Sequence, residues 1–153
     1  FWSDEENAEK AVGQGMKVLM SPAKKAYLDM QYDSISRFGL DWAAYIPVDS
    51  AYSWSLATYS DKIPEDRILG IEAPLWSETI SNSEELEYLA FPRLPAYAEL
   101  GWSAPANPSW EQYRERLARQ LDYFLREDIK FYPSHRVPWK VSDAELPWQE
   151  DKK

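Results

Sequence analysis

The chain has 153 residues, a length that fits one compact domain. Its 17 Lys and Arg against 26 Asp and Glu give a net charge of -9, which disfavours a grip on nucleic-acid phosphates or on anionic lipid. With no cysteine and a single histidine, disulfides and thiolate chemistry are excluded and imidazole catalysis has little to draw on.

Residues 4–12 are rich in helix formers, with acids first and Gly13 and Gly15 behind them, which predicts a short helix. The run Met16-Lys17-Val18-Leu19-Met20, closed by Ser21-Pro22, has the length and ending of a buried strand. Residues 23–66 read as irregular, with a short third strand near Tyr27, and they carry Tyr27, Trp42, Tyr45, Tyr52, Trp54 and Tyr59. Long loops with that many aromatics commonly build a site. Residues 68–76 read as a second buried strand, with Pro74 near its end. Ser81-Asn82-Ser83-Glu84 offers a capping box before Leu86, Leu89 and Ala90 at helical spacing. A short helix is expected between Pro95 and Gly101. Asn107-Pro108 then opens the clearest helix, running to about Glu127, in which Trp110, Tyr113, Leu117, Leu121 and Phe124 recur at steps of three and four. Pro133, Pro138 and Pro147 mark a proline-rich tail. The alternation is that of an α/β chain, yet two or three parallel strands cannot cover their own faces and edges. No apolar run approaches the roughly 18 residues of a membrane span, and the opening six residues lack the basic and apolar regions of a signal peptide.

The 8 Trp and 10 Tyr are more aromatic surface than a core of this size needs, and their faces suit stacking on sugars. In an extended segment alternate side chains share a face, so Tyr27 points with Asp29, and Glu72 with Trp76 and Glu78. Solvated loop acids and core tryptophans are the plainer reading of those residues. Glu72 and Glu78 lie about 20 Å apart if extended, whereas two carboxylates that flank one glycosidic bond need roughly 5 to 9.5 Å. Glu72, deep in its strand, is expected to be buried and paired, and His135 to be an ordinary surface residue. No dinucleotide, phosphate-loop or zinc-protease motif occurs, so no cofactor or metal is expected.

The stretch Gly70-Ile71-Glu72-Ala73-Pro74-Leu75-Trp76-Ser77-Glu78-Thr79, followed by Ala90-Phe91-Pro92-Arg93-Leu94-Pro95 and Ala98-Glu99-Leu100-Gly101-Trp102-Ser103, resembles the closing part of bacterial β-N-acetylhexosaminidases of glycoside hydrolase family 20. Leu19-Met20-Ser21-Pro22, Tyr27-Leu28-Asp29-Met30-Gln31-Tyr32 and Gly39-Leu40-Asp41-Trp42-Ala43-Ala44-Tyr45 stand in the same order as in that family. The resemblance implies an α/β fold that is the C-terminal portion, about strands six to eight with their helices, of a (β/α)8 barrel. The chain itself is too short for a closed barrel, which takes about 200 residues or more. Residues 1–132 would be barrel and 133–153 a tail.

The resemblance also implies roles. Trp2 would wall the acetamido pocket and Trp42 would stand at the rim. The Tyr27 hydroxyl would bind the acetamido oxygen, Asp29 would take hydroxyls near position 6, Trp76 would stack on the pyranose ring, and Glu78 would hold the 4-hydroxyl. The family retains configuration through attack by the sugar's own acetamido oxygen, so the protein supplies no nucleophile. Its catalytic Asp-Glu pair lies in a His-x-Gly-Gly-Asp-Glu type motif on an earlier strand, and no such run occurs here. The expectation is a sugar-binding part of an exo-acting enzyme on terminal N-acetylglucosamine or N-acetylgalactosamine, inactive alone. Its partners would be such glycans or chitooligosaccharides, the N-terminal part of the barrel and, through exposed strand edges, further copies of itself. Localisation stays open. The competing reading is a non-catalytic carbohydrate-binding module, which would be mostly β.

Overall fold

The structure, a computed structural model, describes residues 5–103, 108–140 and 146–148. Its first helix, α1 (Glu5–Gly13), has Glu5 and Glu6 in the first turn and Lys10 in the last, the charges that the helix dipole favours, and it buries Ala8. Strand β1 (Val18–Met20) pairs in parallel with β2 (Ile68–Ile71), Val18 facing Ile68, Leu19 facing Gly70 and Met20 facing Ile71. Leu69 is left over between the first two pairs, and Gly70 next to it takes φ 150°, a backbone state that a side chain would resist.

Helix α1 packs on β1, and α5 (Arg93–Ser103) packs on β2. The other side is open, with Leu19 40% and Leu69 65% exposed. The expected long, buried second strand is therefore corrected: β2 ends at Ile71 and is half covered, since parallel strands are buried only where neighbours cover both faces. Glu72, expected to be buried and paired, is exposed for the same reason. The third strand near Tyr27 amounts to one isolated parallel bridge, Met30 with Leu40.

The loop region contains two short helices, α2 (Ala23–Ala26) and α3 (Val48–Tyr52), and α3 packs on α5. Most of the aromatic surplus is structural. Tyr32 stacks on Tyr132 at 4.2 Å and Tyr52 on Tyr113 at 3.9 Å, and Tyr32, Tyr88, Tyr97 and Tyr113 are all buried. Helix α4 (Ser83–Ala90) is capped one residue later than the sequence suggests: Asn82 accepts from the Glu85 amide at 3.0 Å, and the Glu85 carboxylate accepts from the Ser81 amide at 2.8 Å. Helix α5 begins at Arg93, ahead of Pro95, because a proline in the first turn removes only an amide that has no helical partner.

The long helix expected to Glu127 is two, α6 (Trp110–Ala118) and α7 (Leu121–Arg126). At the join the amides of Arg119 and Gln120 bond three residues back, to Arg116 and Leu117. The break has a packing cause. Tyr113, Leu117 and Ala118 belong to the main core, whereas Leu121 and Phe124 turn to a second cluster with Phe131 and Leu146. Beyond Pro133 the described residues stay on the body: Ser134 and Val137 are buried, Trp139 lies 5.1 Å from the Phe131 ring, and the Trp148 indole donates to the Lys130 carbonyl at 2.9 Å. Seven α-helices, a short 3-10 helix and one two-stranded parallel sheet among the described residues differ from the all-β pattern of the module reading.

Candidate functional site

Past the ends of β1 and β2 three extended stretches lie side by side. The Glu72 amide bonds the Met20 carbonyl at 2.9 Å, and the Leu28 amide bonds the Pro74 carbonyl at 2.7 Å. On the other edge, the Leu40 amide bonds the Asp29 carbonyl at 2.8 Å and the Gln31 amide bonds the Leu40 carbonyl at 2.7 Å. Residues 27–31 are thus the middle stretch, flanked by residues 72–76 and 40–42. Gly39 makes the approach feasible: a Cβ there would stand 2.8 Å from the Asp29 carbonyl oxygen, and its φ is 102°.

Alternation along these stretches turns one set of side chains into a common hollow of about 490 Å³, lined by Tyr27, Asp29, Leu40, Trp42, Trp76 and Glu78. That size falls within the range of small-molecule sites. Tyr27 and Asp29 are its buried floor, at 5% and 1% exposure, while Trp42 and Trp76 stand half out of the protein at 56% and 51%. The Tyr27 ring lies 6.1 Å from Trp42, edge to face at 80°, and 6.3 Å from Trp76. Five of the six residues singled out in the sequence come together here. The sixth, Trp2, lies outside the described residues. Glu72, which alternation grouped with Trp76 and Glu78, is not in the lining. Leu40 was not singled out, although the alternation that joins Tyr27 to Asp29 joins it to Trp42. His135 is exposed, as expected, and is not in the lining.

The electrostatics suit neutral hydroxyl groups. Both Asp29 oxygens are buried, with the amides of Asp29 and Trp76 near them but no hydrogen bond of good geometry to either. Burial pushes the Asp29 carboxyl above its usual range and the nearby Glu78 charge adds to this, while amides of Asp29 and Trp76 and the Arg93 charge oppose it. Burial also raises the Tyr27 hydroxyl, opposed by its hydrogen bond with Trp76. A floor with unfilled acceptors and a phenol, between two indole faces, can hold a flat, hydroxyl-rich ring by stacking and directed hydrogen bonds. Among the described residues that line the hollow there is no cation.

Residues 1–105 match the sequence pattern described as Glycosyl hydrolase family 20, catalytic domain. The chain is 37% identical over 129 residues to a beta-N-acetylhexosaminidase of Cellulomonas fimi, across 84% of this chain and 26% of that protein. Among solved structures, the GH20 beta-N-acetylhexosaminidase of Streptomyces coelicolor A3(2) superposes with a TM-score of 0.83 at 43% identity, over 90% of this chain and 28% of that one. The GH20 exo beta-N-acetylglucosaminidase of Vibrio harveyi, in complex with N-acetylglucosamine, gives a TM-score of 0.75 at 35% identity, over 85% of this chain and 21% of that one. The chain spans under a third of the length of each of these relatives.

Proposed function

The chain belongs to glycosyl hydrolase family 20, and we propose that it is the closing part, about strands six to eight, of the (β/α)8 catalytic barrel of a retaining β-N-acetylhexosaminidase. The enzyme would remove terminal N-acetylglucosamine or N-acetylgalactosamine from glycans such as chitooligosaccharides. The observation that carries this reading is the shared hollow of Tyr27, Asp29, Trp42, Trp76 and Glu78, two aromatic and acidic pairs on neighbouring stretches. The open side of the sheet, with Leu19 and Leu69 exposed, supports the partial barrel, whose division into 1–132 and a tail from 133 belongs to the same proposal.

In the mechanism, Trp76 stacks under the sugar ring, Asp29 and Glu78 take its hydroxyls near positions 6 and 4, Trp42 closes the rim, and Trp2 adds a wall. Tyr27 donates to the acetamido oxygen and holds it toward the anomeric carbon. That oxygen then attacks, the bond to the leaving group breaks, and water later opens the cyclic intermediate. Alignment of an internal nucleophile can supply roughly 7 to 11 kcal/mol of the barrier reduction. Proton transfer to the leaving group falls to the Glu of an Asp-Glu pair, whose Asp orients the acetamido group; no His-x-Gly-Gly-Asp-Glu run that would carry them occurs in these 153 residues. General acid catalysis is worth about 10^2 to 10^4 in rate, so the isolated chain should be inactive. Its open sheet face should also make it self-associate, visible in light scattering. Incubation with an aryl N-acetylglucosaminide tests the assignment: hydrolysis above a heat-killed control would place the acid within this chain and overturn the mechanism.

A further inference from the structure

We propose that Arg93 is a positioning residue for this site, which fixes the Leu28–Met30 backbone from behind and so sets where the Asp29 carboxylate stands. Arg93 opens α5 and its side chain is fully buried, at 0% exposure. Among the described residues its side chain makes four hydrogen bonds, all to backbone carbonyls. Nη2 donates to Leu28 at 2.5 Å and Leu89 at 2.8 Å, and Nη1 donates to Met30 at 2.8 Å and Ile46 at 3.2 Å. The Tyr32 ring lies 3.9 Å from the guanidinium carbon.

Two of those carbonyls belong to the residues on either side of Asp29. In an extended segment the carbonyls of residues 28 and 30 leave along one edge and that of residue 29 along the other. The Asp29 carbonyl is taken by the Leu40 amide, and the Leu28 amide bonds Pro74, but among the described residues no backbone amide reaches the carbonyls of Leu28 and Met30. The guanidinium fork takes that place, with one nitrogen for each. A lysine ammonium, a single donor centre, cannot span both. A buried guanidinium is costly, and a core made only for stability would do as well with an apolar side chain there. What the charge adds is a rigid edge from residue 28 to residue 30 beneath the Asp29 carboxylate. Its field also favours the ionised form of Asp29, the form that accepts from a hydroxyl.

The proposal rests on the reading that Asp29 takes the sugar hydroxyl near position 6. The test uses the full-length protein that carries this chain. It compares kcat/KM for an aryl N-acetylglucosaminide and its 6-deoxy and 4-deoxy counterparts in wild type, Arg93→Lys, Asp29→Asn and the double variant. A hydrogen bond to a charged acceptor predicts a wild-type preference for the 6-hydroxyl of about tenfold or more. Arg93→Lys should cut that preference to within about twofold of Asp29→Asn, leave the 4-hydroxyl preference in place, and add nothing in the double variant. A uniform fall on all three substrates, with both ratios kept, would overturn the role of Arg93. If instead Asp29→Asn keeps the 6-hydroxyl preference, the reading of Asp29 fails first. Should Arg93→Lys not fold, Tyr32→Leu carries the test: loss of the ring beneath the guanidinium should lower the same single ratio, and unchanged selectivity would count against the proposal.

Discussion

Gly39 and Asp29 stand so close that any Cβ on the glycine would lie 2.8 Å from the Asp29 carbonyl oxygen, and 3.0 Å from Leu89 Cδ2. The contact joins a loop to the floor of the site. With φ at 102°, Gly39→Ala meets both a steric and a backbone penalty. A loss of about 2 kcal/mol is expected, and because the nearest neighbour is the Asp29 backbone the site should distort with it. Thermal melting and sugar binding on the same preparation check this. An unchanged melting temperature would show that the loop moves away freely.

Trp76 is half exposed, so its removal should cost the fold little. Its indole faces the hollow 6.3 Å from Tyr27, so Trp76→Ala in the full-length enzyme should lower kcat/KM by about 2 kcal/mol, roughly thirtyfold. A variant that melts as wild type yet retains full activity would remove stacking from the mechanism.

Asp29 gives a pH-dependent stability. Burial raises its folded-state pKa above the ordinary 3.8, so between the two values the native state holds more proton than the unfolded chain. Stability from this group is therefore greatest below the unfolded value and falls as pH rises through the folded one. Asp29→Asn should melt higher than wild type near neutral pH, with the gap closing as the pH falls toward about 4, while sugar binding weakens. A gap independent of pH would mean that the carboxylate is not strained by its burial.

Phe124 anchors the second cluster, 2% exposed, with Phe131 at 5.2 Å and Phe91 at 5.5 Å. Phe124→Ala should cost about 3 to 5 kcal/mol. Since this cluster is separate from the core beneath Tyr27 and Asp29, affinity for the sugar should survive wherever the variant is folded. Calorimetry together with binding below the melting temperature decides it, and parallel loss of both would tie the two clusters together.

The site was legible where chemistry follows a short period. Alternation alone grouped Tyr27 with Asp29 and Trp76 with Glu78, and the same rule extends to Leu40 and Trp42. It misplaced Glu72, since alternation describes a regular strand and β2 ends at Ile71. The place of Arg93 was not legible, because its acceptors are carbonyls of residues 28, 30, 46 and 89 and a carbonyl leaves no mark in a sequence. The broken helix follows the same logic: steps of three and four run unbroken from Trp110 to Phe124, yet two different clusters claim the two halves.

Local order settled the identity and direction of most elements here: acids opening α1, a capping run ahead of α4, apolar spacing in α6 and α7, and the pairing of phenol with acid and indole with acid. Only the tertiary structure decided that these pairs, about fifty positions apart, share one hollow, and which aromatics serve the core instead. The reason is range. Helix and strand preferences act between residues a few steps apart, whereas Leu28 meets Pro74, Asp29 meets Leu40, and Arg93 meets Met30 only after the chain has packed.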